Sequence, residues 1–292
     1  MAGLPPYAST PERIWYYLFR FLCGLIFFFL IFPIVVVIPL SFNAVPFFTF
    51  TQEMITLDPA GYSLKWYEDF FTNLNWQGAV RNSVIIGIFS TLIATFLGTL
   101  AALGLSRPHI PFRTTLMGIL ISPMIVPLII SAAGMFFFYS RINLQGTHIG
   151  VILAHAALGT PFVVITVTAT LVGFDQNLIR ASASLGATPT RTFFKIIVPL
   201  ILPGVIAGGL FAFVTSFDEV VVILFVGSFE QRTIPWQMFS GIREHISPTI
   251  LAVATILVII STLLLTAVEL LRRRNERLRG IQIGRASCRE RV

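Results

Sequence analysis

The chain has 292 residues, of which 55% are hydrophobic and only 11% charged, against about a quarter charged in an ordinary soluble domain. That balance excludes a water-soluble enzyme. It also excludes disorder, because a chain this apolar has more surface to hide than one water-facing core requires. The formal net charge of +7 is carried by basic residues whose positions say more than their sum.

Six windows free of charged residues exceed the ~20 residues that a helix needs to cross hydrocarbon: Arg20 to Glu53, Arg81 to Arg107, Arg113 to Arg141, Arg141 to Asp175, Lys195 to Asp218 and Glu244 to Glu269. The expected fold is an all-α integral membrane domain of six transmembrane helices. The first window runs FLCGLIFFFLIFPIVVVIPLSF, longer than a signal-peptide core and with no small-residue cleavage site, so it reads as a retained span. The expected division is a terminal segment at 1–20, a membrane domain at 21–271 and a basic tail at 272–292. The stretch Gly284 to Val292 does not continue the membrane pattern and has the look of an assembly scar.

Threading the windows alternately through a bilayer puts fifteen basic residues on one side and five on the other: Lys65, Arg81, Arg141, Arg232 and Arg243. Without residues 284–292 the ratio is still twelve to five. Both termini are therefore expected in the cytoplasm. The run Arg272, Arg273, Arg274, Arg277 and Arg279 reads as a flank for anionic lipid and not for nucleic acid. Cys23 lies in a span and Cys288 in the tail, so neither a disulfide nor a metal clamp is expected.

On the outer side, Leu64, Tyr67, Phe71 and Leu74 at helical spacing predict a short interfacial helix, with Trp66 and Trp76 in the headgroup zone. Within the spans, Pro33, Pro39, Pro123, Pro127, Pro161, Pro199 and Pro203 each remove a backbone hydrogen bond that lipid cannot replace, which favours a packed bundle with kinks. His155, in the fourth window, reads as a hydrogen-bonded packing residue and Asn177 as loop surface.

The loop between the fourth and fifth windows reads FDQNLIRASASLGATPTRTFFKIIVPLILPG from Phe174 to Gly204. Asp175 can cap a helix running to about Leu185, Gly186 can end it in the left-handed conformation, and Thr188 with Pro189 can start a second one. Two short helices at a right angle are expected to project into the cytoplasm. Their small and apolar residues Ala181, Ala183, Leu185 and Ala187 have no lipid to face, so a protein partner is their natural cover.

Asp218 and Glu219 stand at the end of the fifth window, where an ionisable group costs several kcal/mol unless water or a partner meets it. If the span runs on past Asp218, neighbouring side chains diverge by about 100°, so only one acid faces a pathway. Asp218 is the chosen one, with Phe211 and Phe225 seven residues to either side offering cation-π contacts to an ammonium group. Two alternatives stay open. The span ends near Ser216 with the acids in outside water, or they pair with an arginine of another subunit.

The loop resembles the permease subunits of binding-protein-dependent ABC importers. Their pattern is Glu-Ala-Ala, three residues, Gly, nine residues, then Ile-x-Leu-Pro, and it falls on Arg180, Ala181, Ser182, Gly186, Ile196, Val198 and Pro199 with the spacing kept. Arg180 stands where the family usually has Glu, Ser182 replaces the second Ala, and Val198 replaces Leu. The resemblance runs from about Phe21 to Glu269 and includes SLKWYEDFF and the pair Asn82-Ser83. SFDEVVVILFVG and TIPWQMFSGIREHISPTILAVATIL are similar to the spermidine/putrescine branch, in its second permease subunit.

The resemblance implies the six-helix architecture of type I importers, placement in a bacterial inner membrane, and a coupling loop at 174–197 that docks an ATPase. It also implies the partners: a second related permease, two ATPase copies and an extracytoplasmic binding protein. No cofactor is expected in this chain, ATP and Mg belonging to the ATPase. The residues agree, since a P-loop needs Gly directly before Lys, and the only lysines follow Leu64 and Phe194. The implied cargo is a polyamine, with an opine, amino acid or aminophosphonate as the alternative. An intramembrane enzyme is disfavoured because neither His-Glu-x-x-His nor Gly-x-Ser-Gly occurs. An ATP-independent carrier or channel would leave the loop pattern idle.

Overall fold

The computed structural model describes residues 9–106, 110–172, 175, 177–244 and 247–278. Phe174 and Gln176 of the coupling loop, the first eight residues, and the tail beyond Leu278 lie outside them. Among the described residues every regular element is helical, apart from one isolated bridge between Asn43 and Tyr62. The order is α1 (Thr10–Leu40), α2 (Gln52–Ile55), α3 (Lys65–Thr72), α4 (Leu74–Leu105), α5 (Arg113–Ile125), α6 (Leu128–Arg141) and α7 (His148–Val172). It continues with α8 (Asn177–Ser184), α9 (Pro189–Thr192), α10 (Val198–Phe217), α11 (Val221–Val226), α12 (Ile234–Glu244) and α13 (Thr249–Leu278).

Among the described residues four helices are long and apolar enough to cross a membrane: α1, α4, α7 and the continuous run Pro189–Phe217. A fifth is reached if α5 and α6 count as one span. The sixth expected window falls on α13, whose apolar part, Thr249–Leu263, is shorter. The third window is not one helix, because α5 and α6 meet at a bend of 101°. Pro127 causes it: the ring disfavours helical backbone at the residue before it, and Val126 is extended at φ −69° and ψ 135°.

The chain packs as two compact units, residues 1–72 with 244–292, and residues 73–243. In the first, α1 starts with a capping box in which the Glu12 carboxylate accepts from the Ser9 amide at 2.7 Å, satisfying an otherwise orphaned donor. Its apolar side chains are exposed almost throughout, as a lipid-facing helix requires. The turn after it is built on polar contacts. Ser41 Oγ lies 2.7 Å from the Tyr67 hydroxyl, and Asn43 Nδ2 donates to the carbonyls of Phe47 and Thr49. Trp66 Nε1 donates to the Asn43 carbonyl at 2.6 Å, so this ring holds the loop as well as suiting an interface. The interfacial helix exists as α3, but its inward residue is Phe70. Leu64, Phe71 and Leu74, expected on one apolar face, are exposed, so that face is left to the surroundings. Thr249 Oγ1, at the start of α13, donates to Asp69 Oδ2 at 2.8 Å.

The second unit is organised around α7, which packs on both α4 and α10. The buried residues of α4 include Ser90, Ala94, Gly98 and Ala102, and those of α10 include Gly204, Gly208, Ala212 and Ser216. Both sets repeat every four residues, so each lies along one helix face. Small residues are what lets helix backbones approach within lipid, where apolar side chains gain nothing by leaving one another's company. The approach is tight. A Cβ added at Gly98 would lie 2.7 Å from Val163 Cβ, and one at Gly208 would lie 2.8 Å from Val163 Cα. A second cluster, of Ile86, Ala132, Tyr139, Val151, Val222, Ile223 and Val226, fills the end where α11 meets α6 and α7.

Gly208→Ala is expected to destabilise the purified protein by about 1–3 kcal/mol through overpacking against backbone. Gly104→Ala, where an added Cβ meets nothing within 4 Å, gains up to about 1 kcal/mol of helix propensity. Thermal unfolding in detergent checks the pair. Equal midpoints for the two variants would contradict the packing described.

Candidate functional site: the coupling segment and the far end of α10

The segment between α7 and α10 forms from local signals. Asp175 Oδ1 accepts from the Asn177 amide at 2.9 Å and starts α8. Gly186 ends the turn with φ +76°, a conformation that costs other residues about 1 kcal/mol or more. The Thr188 side chain then accepts from the Arg191 amide, with Pro189 in the first turn of α9. The second helix is not a separate short one. α9 passes through a π turn at Phe193–Ile197 directly into α10, giving one run of 29 residues from Pro189 to Phe217. The π turn has a cause: Pro199 offers no amide, and its ring crowds the carbonyl four residues back. The Val198 amide bonds instead to the Phe193 carbonyl, five residues behind.

The residues expected at this site divide cleanly. Arg180, Ala181, Ala183, Leu185, Gly186 and Pro199 are exposed, Ala187, Ile196 and Val198 half-buried, and Ser182 buried. Leu185 is 87% exposed, extreme for a leucine outside a span. Ser182, a departure from the family pattern, has a structural role. Its hydroxyl donates to the Ile179 carbonyl at 2.8 Å and lies 2.8 Å from the buried Thr192 Oγ1. With the Ala187 amide donating to the Ser182 carbonyl, α8 is bolted to the helix that becomes α10.

At the other end, α10 stops at Phe217 and Asp218 is its C-cap, with φ −91° and ψ −1°. The premise that the helix continues through Asp218 is therefore wrong, because backbone of this geometry ends the run and α11 starts a new axis. Phe225 lies on α11 and shares no helix face with Asp218. Phe211 lies on α10, stacked on Phe162 at 6.2 Å between centroids. Asp218 is exposed, on the carbonyl end of a helix where the macrodipole is also negative. Glu219 is 7% exposed, and its Oε1 accepts from the Val222 amide at 2.9 Å. It is a buried cap for α11.

Sequence reasoning missed the polar link just behind this end. Ser216 Oγ receives a hydrogen bond from Ser90 Oγ at 2.8 Å and lies 2.8 Å from His155 Nδ1, joining α4, α7 and α10 in one buried contact. The four-residue repeat of small side chains was the available signal. The pair Asn82-Ser83 also acquires a role. Asn82 Nδ2 donates to the carbonyls of Glu230 and Arg232, Asn82 Oδ1 lies 3.2 Å from His148 Nε2, and Ser83 Oγ accepts from the Ile234 amide. These bonds fasten the connection between α11 and α12 to the starts of α4 and α7. No group of three or more metal-ligating side chains occurs among the described residues.

Residues 94–277 match the family described as binding-protein-dependent transport system inner membrane component, and the chain belongs to it. The chain is 31% identical over 243 residues to the spermidine/putrescine transport system permease protein PotC of Haemophilus influenzae, covering 83% of this chain and 91% of that protein. It is 29% identical over 260 residues to the putrescine transport system permease protein PotI of Escherichia coli K12, covering 86% and 87%. A crystal structure of a bacterial ABC transporter involved in the import of the acidic polysaccharide alginate superposes with a TM-score of 0.68 at 16% identity, covering 90% of this chain and 98% of that one. This last likeness shows the fold alone. The chain is an ABC importer permease subunit, homologous to permeases of polyamine transport systems.

Ser182→Ala leaves the Thr192 hydroxyl buried without this partner, a loss of about 1–3 kcal/mol. The double variant Ser182→Ala/Thr192→Val is expected to recover most of it. Thermal midpoints of the single and double variants in detergent measure this, and a double variant less stable than either single one would refute the bolt.

Proposed function

We propose that this chain forms half of an ATP-driven pathway that imports a polyamine across a bacterial inner membrane. It works with a second related permease, two copies of an ATPase that carry the ATP and Mg, and an extracytoplasmic binding protein. The chain crosses the bilayer six times with both termini inside, the bent pair α5–α6 counting as one crossing and α13 as the last. The single observation that carries the energy-coupling part is the α8 segment: an exposed Leu185 directly after a helix bolted through Ser182 and Thr192 to the run that becomes α10. Force on α8 reaches a membrane helix through the buried Ser182–Thr192 contact as well as through the short turn at 185–188, which is what a chain with no P-loop of its own needs from a separate ATPase.

The cargo reading is supported by the relatives and by charge. The relatives are permeases of spermidine/putrescine and putrescine transport systems. Asp218 adds an exposed carboxylate to the negative end of α10, and a carboxylate there is stabilised by a cation. The substrate pathway is assigned to Asp218, with Phe211 on the helix leading to it.

The test is uptake of labelled spermidine and putrescine into proteoliposomes holding the complete importer. Uptake is expected to require ATP inside the cytoplasmic compartment. Asp218→Asn is expected to lower it by about tenfold, one charged contact being worth about 1.4 kcal/mol or more, with ATPase association unchanged. Uptake without ATP would favour a carrier. Wild-type uptake in the variant would remove Asp218 from the pathway.

A further inference from the structure

The charge of the coupling segment is opposite to what its family pattern carries. Between Asp175 and Pro199 stand Arg180, Arg191 and Lys195 against a single acid, Asp175, whose Oδ1 is already engaged with the Asn177 amide. Arg191 and Lys195 adjoin the span, where cytoplasmic basic residues are expected for orientation alone. Arg180 is different, since it lies off the span on α8.

Its place on that helix is set by the buried residue. Ser182 faces inward, and at 100° per residue Arg180 points to the opposite side, with Asn177 and Ser184 beside it and Ala181 and Ala183 on its flanks. All four neighbours are exposed. Among the described residues Arg180 has no carboxylate partner. Small side chains around it leave the guanidinium open to a partner, and the exposed Leu185 follows directly after the same helix. A protein covering this face must desolvate the guanidinium, and that costs several kcal/mol unless a carboxylate meets it.

We infer that the ATPase groove receiving α8 is acidic where it meets Arg180, so that this permease selects its ATPase by a charge pair of opposite sense to the usual one. The inference rests on the docking role assigned to α8. Arginine suits such a pair because its planar fork binds a carboxylate through two parallel hydrogen bonds. The same charge repels an ATPase whose groove is basic to suit a glutamate at this position, so the contact rejects the ATPases of sister importers as well as retaining its own.

The experiment titrates the cognate ATPase subunit onto the assembled permease pair in nanodiscs, for wild type, Arg180→Glu, Arg180→Lys and Leu185→Asp. Arg180→Glu is expected to weaken binding by about tenfold to a hundredfold at low salt, the range for close interfacial charge pairs. The deficit should shrink as KCl is raised, because screening removes the repulsion. Arg180→Lys keeps the charge and is expected to stay within about tenfold of wild type. If Arg180→Glu binds as tightly as wild type while Leu185→Asp does not bind, α8 is the docking helix and the acidic groove is refuted. If both variants bind as tightly as wild type, the docking role itself is refuted, and the charge pair with it.

Discussion

Close backbone approach between α7 and its two neighbours is the constraint on which the second unit depends. In lipid, two leucine-faced helices gain little by meeting, so association must come from dispersion at short range and from hydrogen bonds sheltered from water. Gly98 and Gly208 permit the approach by lacking a Cβ, since each would place one within 2.8 Å of Val163. Ser90, Ser216 and His155 then fix the axial register at one end. A helix held in this way cannot slide past its neighbours by small increments, so it is suited to moving with them as a block.

The location of the register lock gives the arrangement its functional sense. Ser216 is two residues before Asp218, and the run that ends there begins at Pro189 beside the α8 bolt. One continuous run therefore carries the α8 contact at its first turn and an exposed carboxylate as its C-cap. The π turn at Phe193–Ile197 sits between the two, and it accommodates Pro199 without breaking the rod. At the far end, Asn82 and Ser83 fasten the connection after α11 to the same three-helix core, so the parts that flank Asp218 have fixed positions of their own.

Much of this was legible in the sequence, for identifiable reasons. The charge-free windows located the apolar helices because the length of a span is imposed by the bilayer. Asp175, Gly186, Thr188 and Pro189 located the turns of the coupling segment because capping and positive φ are decided within a few residues. The family resemblance rested on spacing that these same turns require. What failed to show depended on partners distant in sequence or on backbone geometry. Pro127 was visible, but a kink and a bend of 101° look alike until the neighbours of α6 are known. Asp218 and Glu219 were visible as acids, but the end of α10 at Phe217 decides that one is exposed and the other caps α11. Ser216 meeting His155 across 61 residues showed only indirectly, through the four-residue repeat of small side chains that carries Ser216.

The most direct measurement is the distance between spin labels at Asn177→Cys on α8 and Leu210→Cys on α10, taken in the assembled importer with and without nucleotide. Both positions are exposed, and both lie in the same compact unit. If the coupling segment and α10 move as one piece, the distance stays constant while uptake proceeds. A nucleotide-dependent change of about one helical turn, ~5 Å, would mean that the segment flexes against α10 and does not drive it.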